Sequence, residues 1–541
     1  MFKLLLAGAL CFATIVPQEP QVKATPAPRI LMIPLDGRPA AGQFAKMIGA
    51  MAGYDVILPP QNLLGRFTEE AQVDKIFEWL EGQDLTNVRA LIASADMVAY
   101  GGLIQSRVTG VDSTTAIQRL RRLLTFRAKQ EADIKFYIFA SNMRLTPTAT
   151  IKAAPYRMNL AKYEEIKDKF ERTNDKNLLS KLKNLKAMVP QEEIQRYENT
   201  RNRNFEVIRT LMKMVKAGPV DYLIIGQDDA KPDGPQIQEN AKLREFAKYI
   251  ELGDRAYFCE GIDQHGNILV SRAILADLKF QPKVRIVYSD GDGKKAYALY
   301  ESKPIEESLS DQLFASGAVL VKPGQEFDYT LYVNTPGRRR STFQPFMRNL
   351  KDEIDQGFPV AVADINFGVD GTSDEELFAG LSEERRAHRL LAFAGWNTAG
   401  NTIGTAIPAA NVYLSGRALE SDSLAREVAQ KEFLLHRMID DYAYHKYTRP
   451  AAYKLIDKYQ TQRDEVYGTT FERVNQFVEE DLTKYSRQLF DLQFEGKTFF
   501  ASNKDYRIVG LEALSVHLPW PRAYEAAIDF KFKVEPAGNH R

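Results

Sequence analysis

Asp228 and Asp229 stand side by side at the end of the apolar run DYLIIGQDD, and Glu260 and Asp263 end the next such run, RAYFCEGID. Neighbouring carboxylates repel, so one is pushed toward its protonated form while another stays ionised. Cofactor-free glycoside hydrolysis uses that division: one carboxyl protonates the leaving oxygen and one carboxylate acts as nucleophile or base. These four residues are the candidate catalytic groups, one of Asp228 and Asp229 as nucleophile or base and Glu260 or Asp263 as general acid. Polar residues that end other runs are the candidate substrate contacts. They are Asp36 and Arg38 (PLDGRP), Asp96, Tyr100 and Arg107 (SADMVAYGGLIQSR), and Asn142 and Arg144 (SNMRLTP). Asp364 and Asn366 follow (ADINFGVDG, which also holds Asp370), then Trp396, Asn397 and Asn401 (AGWNTAGN). Carboxylates, amides and guanidinium groups pair with sugar hydroxyls, and an aromatic ring covers a sugar's C–H face. Asp374 in TSDEELFAGL reads instead as a helix cap, and Asp290 in SDGDG as a turn residue.

The stretch AGWNTAGNTIGTA differs from a phosphate-binding loop by Asn401 at the lysine position. Without that cation the loop reads as a sugar or oxyanion contact, backed by the free N–H groups of the following helix. Its structural alternative is a tight strand–helix turn with Asn401 as N-cap. The six histidines show no H-E-x-x-H pairing, and there is no G-x-S-x-G elbow. Cys259 sits inside an apolar run. No metal and no cofactor are expected. Two alternatives stand beside the glycosidase: a hydrolase using all-oxygen metal ligands, and a two-lobed sugar-binding protein without catalysis.

The elements that must position these residues follow from the apolar pattern. Short apolar runs recur from residue 30 to 410, among them RILMIPLD, KFYIFASN, VRIVYSD and PVAVADIN, alternating with stretches of helical period. Strand alternating with helix predicts an α/β fold with largely parallel sheets, barrel-like or doubly wound. In either case ligands gather at the carboxyl ends of the strands. Ten strands are many for one sheet, so two lobes are expected, 25–280 and 281–413, with the break near Lys279–Val284. Residues 156–217, rich in Lys and Glu, read as a helical insertion. Residues 414–490 read as helical with a break at Arg449-Pro450, and 491–541 as a small β element.

The N-terminus, MFK and then the 13-residue apolar run LLLAGALCFATIV, reads as a signal peptide over residues 1–24. The run is short for a bilayer, and no later one approaches a span, so no integral membrane segment is expected after cleavage. Without Lys3, Lys23 and Glu19, basic and acidic residues stand at 70 each, which argues against nucleic acid as a partner. Only Cys259 remains, so no internal disulfide can form. Together these features predict an exported, secreted or periplasmic bacterial protein acting on a small-molecule or glycan substrate.

PLDGRPAA, LPPQNLLGRF, SADMVAYGGLIQSR, GQDDAKPDGPQ, EGIDQHG and GWNTAGNTIGTA occur in this order. In these strings, from Ile30 to Pro408 and again through LPWPRAYEA, the chain resembles a bacterial family known as domain of unknown function 4127. In that family the first motif usually reads PLDERPVN. Gly37 stands here in place of its glutamate, so position 37 receives no catalytic role. The resemblance implies no established reaction.

Overall fold

The computed structural model of the protein describes residues 26–538 apart from 131–132, 369–370 and 420–422. The signal-peptide reading and Asp370 lie outside the described residues. The first sheet contains β1 (Arg29–Ile33), β2 (Asp55–Ile57), β3 (Val88–Ser94), β4 (Lys135–Asn142), β5 (Tyr222–Gln227) and β6 (Ala256–Glu260). All are parallel, in the order β2-β1-β3-β4-β5-β6. The second contains β7 (Lys283–Tyr288), β8 (Val319–Leu320), β9 (Tyr329–Asn334), β10 (Val360–Asp364) and β11 (Ala392–Ala394), again parallel, in the order β11-β10-β9-β7-β8.

Both sheets are open, so the doubly wound form is the one adopted and the barrel is not. Each also has the same winding: its second strand lies outside its first, and the rest follow on the other side. β4, β5, β9 and β10 are almost wholly buried, as strands covered on both faces must be. That is why they read as continuous apolar runs. The two-residue β8 falls in the short apolar stretch AVLV, residues 318–321, which is not among the ten expected runs.

Between β4 and β5 the chain forms helices Arg157–Thr173, Leu179–Ala187 and Gln191–Ala217. After the second sheet come helices Ser423–Met438 and Gly468–Gln493, then an antiparallel sheet of β12 (Thr498–Ala501), β13 (Lys504–His517) and β14 (Ala527–Pro536). The break expected at Arg449-Pro450 is absent. A π-helical segment, Ile439–Thr448, runs straight into helix Arg449–Lys458. Pro450 has no N–H to give and sits in the first turn after that change of pitch.

One apolar core spans both sheets, joining Ile30, Ile92 and Ile224 to Leu331, Val333 and Ala361. Helix Ala399–Arg417 lies in this seam against helix His265–Leu278. Glycine makes the approach close enough. A Cβ on Gly404 would stand 2.2 Å from Cγ of Gln264 and 2.4 Å from Oε1 of Gln312, both fully buried. Gly404→Val should therefore cost about 1–3 kcal/mol by overpacking, read as a lower midpoint in urea unfolding. An unchanged midpoint would mean the seam is slack.

Candidate active site

The carboxyl ends of the first sheet carry a row of polar groups set by register. Asn142, Gln227 and Glu260 end three adjacent strands and lie opposite one another. Asn142 donates from Nδ2 to Oε1 of Gln227 at 2.9 Å, so it braces the strand ends rather than facing outward. Beyond this row the chain turns, and charged residues pair across the turns.

After β1, Arg38 forks onto Asp36, with Nε 3.0 Å from both carboxylate oxygens, and reaches Oδ1 of Asp263 at 2.6 Å. The Trp520 ring lies 5.0 Å from the guanidinium. After β5, Asp228 pairs with Arg107, and its Oδ1 accepts the Asp229 N–H at 3.0 Å. Asp229 pairs with Arg144 at 2.6 Å. Its side chain is 26 % exposed against 5 % for Asp228, so of the doublet Asp229 is the one that meets solvent. Burial pushes the Asp229 carboxyl up and Arg144 opposes this, while the charges of Asp228 and Asp263 push it further.

After β6, Glu260 is clamped by Ser302, whose N–H lies 2.9 Å from Oε2 and whose hydroxyl lies 2.6 Å from Oε1. Burial holds its carboxyl above the usual range. Glu301, next to Ser302, is also buried. Burial and the charge of Glu260 hold it well above the usual range.

Glu301 resolves the near-phosphate loop. Thr398, not Asn401, caps helix Ala399–Arg417, accepting the Asn401 N–H at 3.2 Å. The next free donor, the Gly400 N–H, goes to Oε1 of Glu301 at 2.7 Å. The helix N-terminus thus holds a carboxyl of the chain itself, where a phosphate loop would hold a ligand. A Cβ on Gly400 would stand 3.0 Å from that oxygen. The Asn401 side chain is buried and donates to Oε1 of Gln264 at 2.8 Å. Trp396 is buried edge-on to Phe44, its Nε1 3.3 Å from the Thr405 hydroxyl, and forms wall more than platform. Asn397, with φ of 57°, accepts a hydrogen bond from the Tyr524 hydroxyl at 2.6 Å.

The structure thus gathers Arg38, Asp263, Trp396 and Asn397 with Tyr524 around a small cavity of about 40 Å³. Arg144 and Asp229 lie within electrostatic reach of Tyr524. From Asp36 and Arg38 a wider groove of about 820 Å³ opens along helix Pro39–Ala50. Other candidates lie apart. Tyr100 is buried with the Arg203 guanidinium of the helical insertion 4.5 Å from its ring. Asp364 is buried under Gly395 and accepts from Asn334 Nδ2 at 2.9 Å. Asn366 donates to Asp374, which caps helix Glu375–Ser382 as its sequence predicts. Asp290 accepts the Asp292 N–H at 3.0 Å in its turn and also pairs with Arg339. Sequence reasoning missed Glu301, Gln264 and Tyr524. Gln264 and Tyr524 left a signal, in EGIDQHG and LPWPRAYEA; Glu301 left none.

Asp96 lies beneath the site and accepts the Ser141 N–H at 2.9 Å. Burial, with a further push from Asp228, raises its carboxyl to about 7. Burial, with Asp374, raises Asp364 to about 7 as well. Both therefore bind a proton more tightly folded than unfolded. Their stabilisation is complete below the unfolded value near 4 and is lost as pH rises to about 7. Burial lowers His265 to about 3, which works the other way, but that change is finished above about pH 6.5. The midpoint of thermal unfolding should thus fall between about pH 6.5 and 7.5, and Asp96→Asn should flatten the fall. An equal slope in the variant would place the proton elsewhere.

Among the described residues no helix is long and apolar enough to cross a membrane. No curated protein matches the chain. A solved cobalamin-dependent S-adenosylmethionine radical enzyme, OxsB, aligns at 10% identity over 81% of this chain and 62% of that one. The chain thus spans less than two thirds of that enzyme, and the TM-score of 0.16 lends the likeness no weight. The ordered strings at the strand ends have a firmer counterpart: over residues 30–529 the chain matches, and so belongs to, the family described as Protein of unknown function (DUF4127).

Proposed function

We propose that this protein is an exported glycoside hydrolase that works with carboxyl groups alone. The observation that carries the reading is a contrast between two carboxyls just beyond the ends of neighbouring strands. Asp229 is partly exposed and pushed toward its protonated form, while Asp263 is held by the Arg38 guanidinium. Two such environments suit a general acid and an ionised partner. In this scheme, which reverses the roles expected from the sequence because Asp229 is the carboxyl pushed up by burial, Asp229 gives its proton to the glycosidic oxygen as the bond to the anomeric carbon breaks. Asp263 attacks that carbon, or takes a proton from the water that does. In the same scheme Arg144 and Asn397 hold sugar hydroxyls, and Asp228, Glu260 and Asp36 position the charged groups. Export is supported by the N-terminal pattern, a short positive head followed by a 13-residue apolar run.

The metal-assisted alternative lacks an assembled ligand set, because among the described residues no three His, Cys, Asp or Glu side chains converge to hold an ion. Asp36, Asp228, Asp229 and Asp263 turn to arginines instead, and Glu260 to Ser302. Hinge closing of a two-lobed binder would have to part the shared core. The test is product release by residues 25–541 from plant, host and bacterial-wall glycans, with and without EDTA. Release that ignores EDTA is expected. Release abolished by EDTA, or glycan binding without release, would overturn the reading.

A further inference from the structure

A second groove, of about 380 Å³, lies between the first sheet's loops and the helical insertion. It shares a wall with the candidate site. Arg107 lines it, and the same guanidinium holds Asp228. The loop after β4 forms the partition: Arg144 pairs with Asp229, and the Leu145 N–H donates to the Asp229 carbonyl at 3.3 Å. Met143, Thr148, Thr150 and Lys152 of the same loop line the groove. This loop is pinned from the far side, because the Ile151 N–H donates to the Glu465 carboxylate.

The donors and acceptors of the lining are unevenly used. The Thr148 hydroxyl is reached by Arg107 Nη1 at 3.4 Å, and the Thr150 hydroxyl accepts the Ala153 N–H at 3.2 Å. Each keeps its own O–H to give. Nε of Arg107 is buried without a partner, in a side chain only 6 % exposed. The Tyr156 ring lies beside them, its hydroxyl tied to Glu193 at 2.9 Å. Hydroxyls with donors to spare, a cation and a fixed aromatic ring are the lining that a chain of sugars uses.

We infer that this groove is an accessory subsite, holding the uncleaved part of a glycan chain whose scissile bond lies at Asp229 and Asp263. The inference rests on the hydrolase reading for its ligand class but not for its location. The substrate is then an oligomer or polymer, not a single glycoside, and each further sugar in the groove adds affinity.

The test measures binding by calorimetry with the full mature chain carrying Asp229→Asn, so that the ligand is not consumed. The probes are ladders from monomer to hexamer cut from cellulose, xylan, galactomannan, pectin and bacterial-wall glycan. On at least one ladder, affinity should rise with length and then level off. Adding Thr148→Val and Lys152→Ala should weaken the long members about tenfold, the worth of one or two hydrogen bonds, and leave the shortest unchanged. Affinity that ignores length on every ladder, or a variant indistinguishable at every length, would overturn the subsite. The hydrolase reading is scored separately, by cleavage of the same ladders with the unaltered protein. Length-dependent binding without cleavage would sink the hydrolase and support the groove, and length-independent cleavage would do the reverse.

Discussion

Asp229→Asn should lower kcat/KM on the cleaved glycan by about 10²–10⁴-fold, the usual worth of a positioned general acid. Asparagine keeps the shape and can still accept from Arg144, so glycan binding should hardly change. What it lacks is the proton. The loss should fall on kcat, with the dissociation constant of an uncleaved oligomer close to its original value. The pH profile gives an independent reading. A general acid is active while protonated, so wild-type kcat/KM should decline as pH rises through the raised Asp229 value. The variant's residual activity should lose that limb. Asp228→Asn is the useful contrast. Asp228 is buried against Arg107 and never meets the substrate in this scheme, so its loss should act through Arg107 and the Asp229 backbone, with the basic limb retained. If Asp229→Asn keeps more than about a tenth of the rate, it is not the acid.

Arg437→Leu should destabilise the protein by about 3–5 kcal/mol above about pH 8, where it strands two buried carboxylates; burial raises the Asp441 carboxyl to about 8, so the cost should be smaller nearer neutral pH. Arg437 is fully buried, with Nη1 2.9 Å from Asp441 and Nη2 2.6 Å from Asp440. Its guanidinium also lies 3.7 Å from the Phe44 ring. The group reaches the candidate site, since the other oxygen of Asp441 accepts the Gly395 N–H at 2.7 Å, at the start of the loop bearing Asn397. The cost comes less from a lost ion pair than from charges left without a partner in low dielectric. Asp440→Asn and Asp441→Asn added to Arg437→Leu should therefore recover most of it. The midpoint of urea unfolding checks both variants. A loss under about 1 kcal/mol for Arg437→Leu even above about pH 8 would mean that no stranded charge is left in the core.

Much of the scaffold was legible because its causes are local. The ten apolar runs between residues 30 and 410 all form strands, since a strand buried on both faces must be apolar along its length. The polar residues that end those runs mark the strand ends, and there Asp36, Asp229 and Asp263 lie. Asp374 could be read as a cap because capping spans only three residues. The helix cap at Thr398 was misplaced by three positions, since both Thr398 and Asn401 have capping side chains and only the backbone turn decides between them.

The sequence by itself thus determined the element types, the parallel winding and the gathering of carboxylates at one edge. It left open which charge would meet which. Arg38 finds Asp263 across 225 positions, Asn397 finds Tyr524 across 127, and the Gly400 N–H finds Glu301 across 99. No local period encodes such pairs. They depend on strand order, on the register that sets the row of strand ends, and on how closely Gly400 and Gly404 let helix Ala399–Arg417 approach helix His265–Leu278. Only the tertiary structure decided that the loop resembling a phosphate cradle is filled by a carboxyl from its own chain, and that Asp229, not Asp228, meets solvent. The physical reason is the same in each case: a charge's state and partner are set by what burial brings within a few ångströms, and burial belongs to the packed whole.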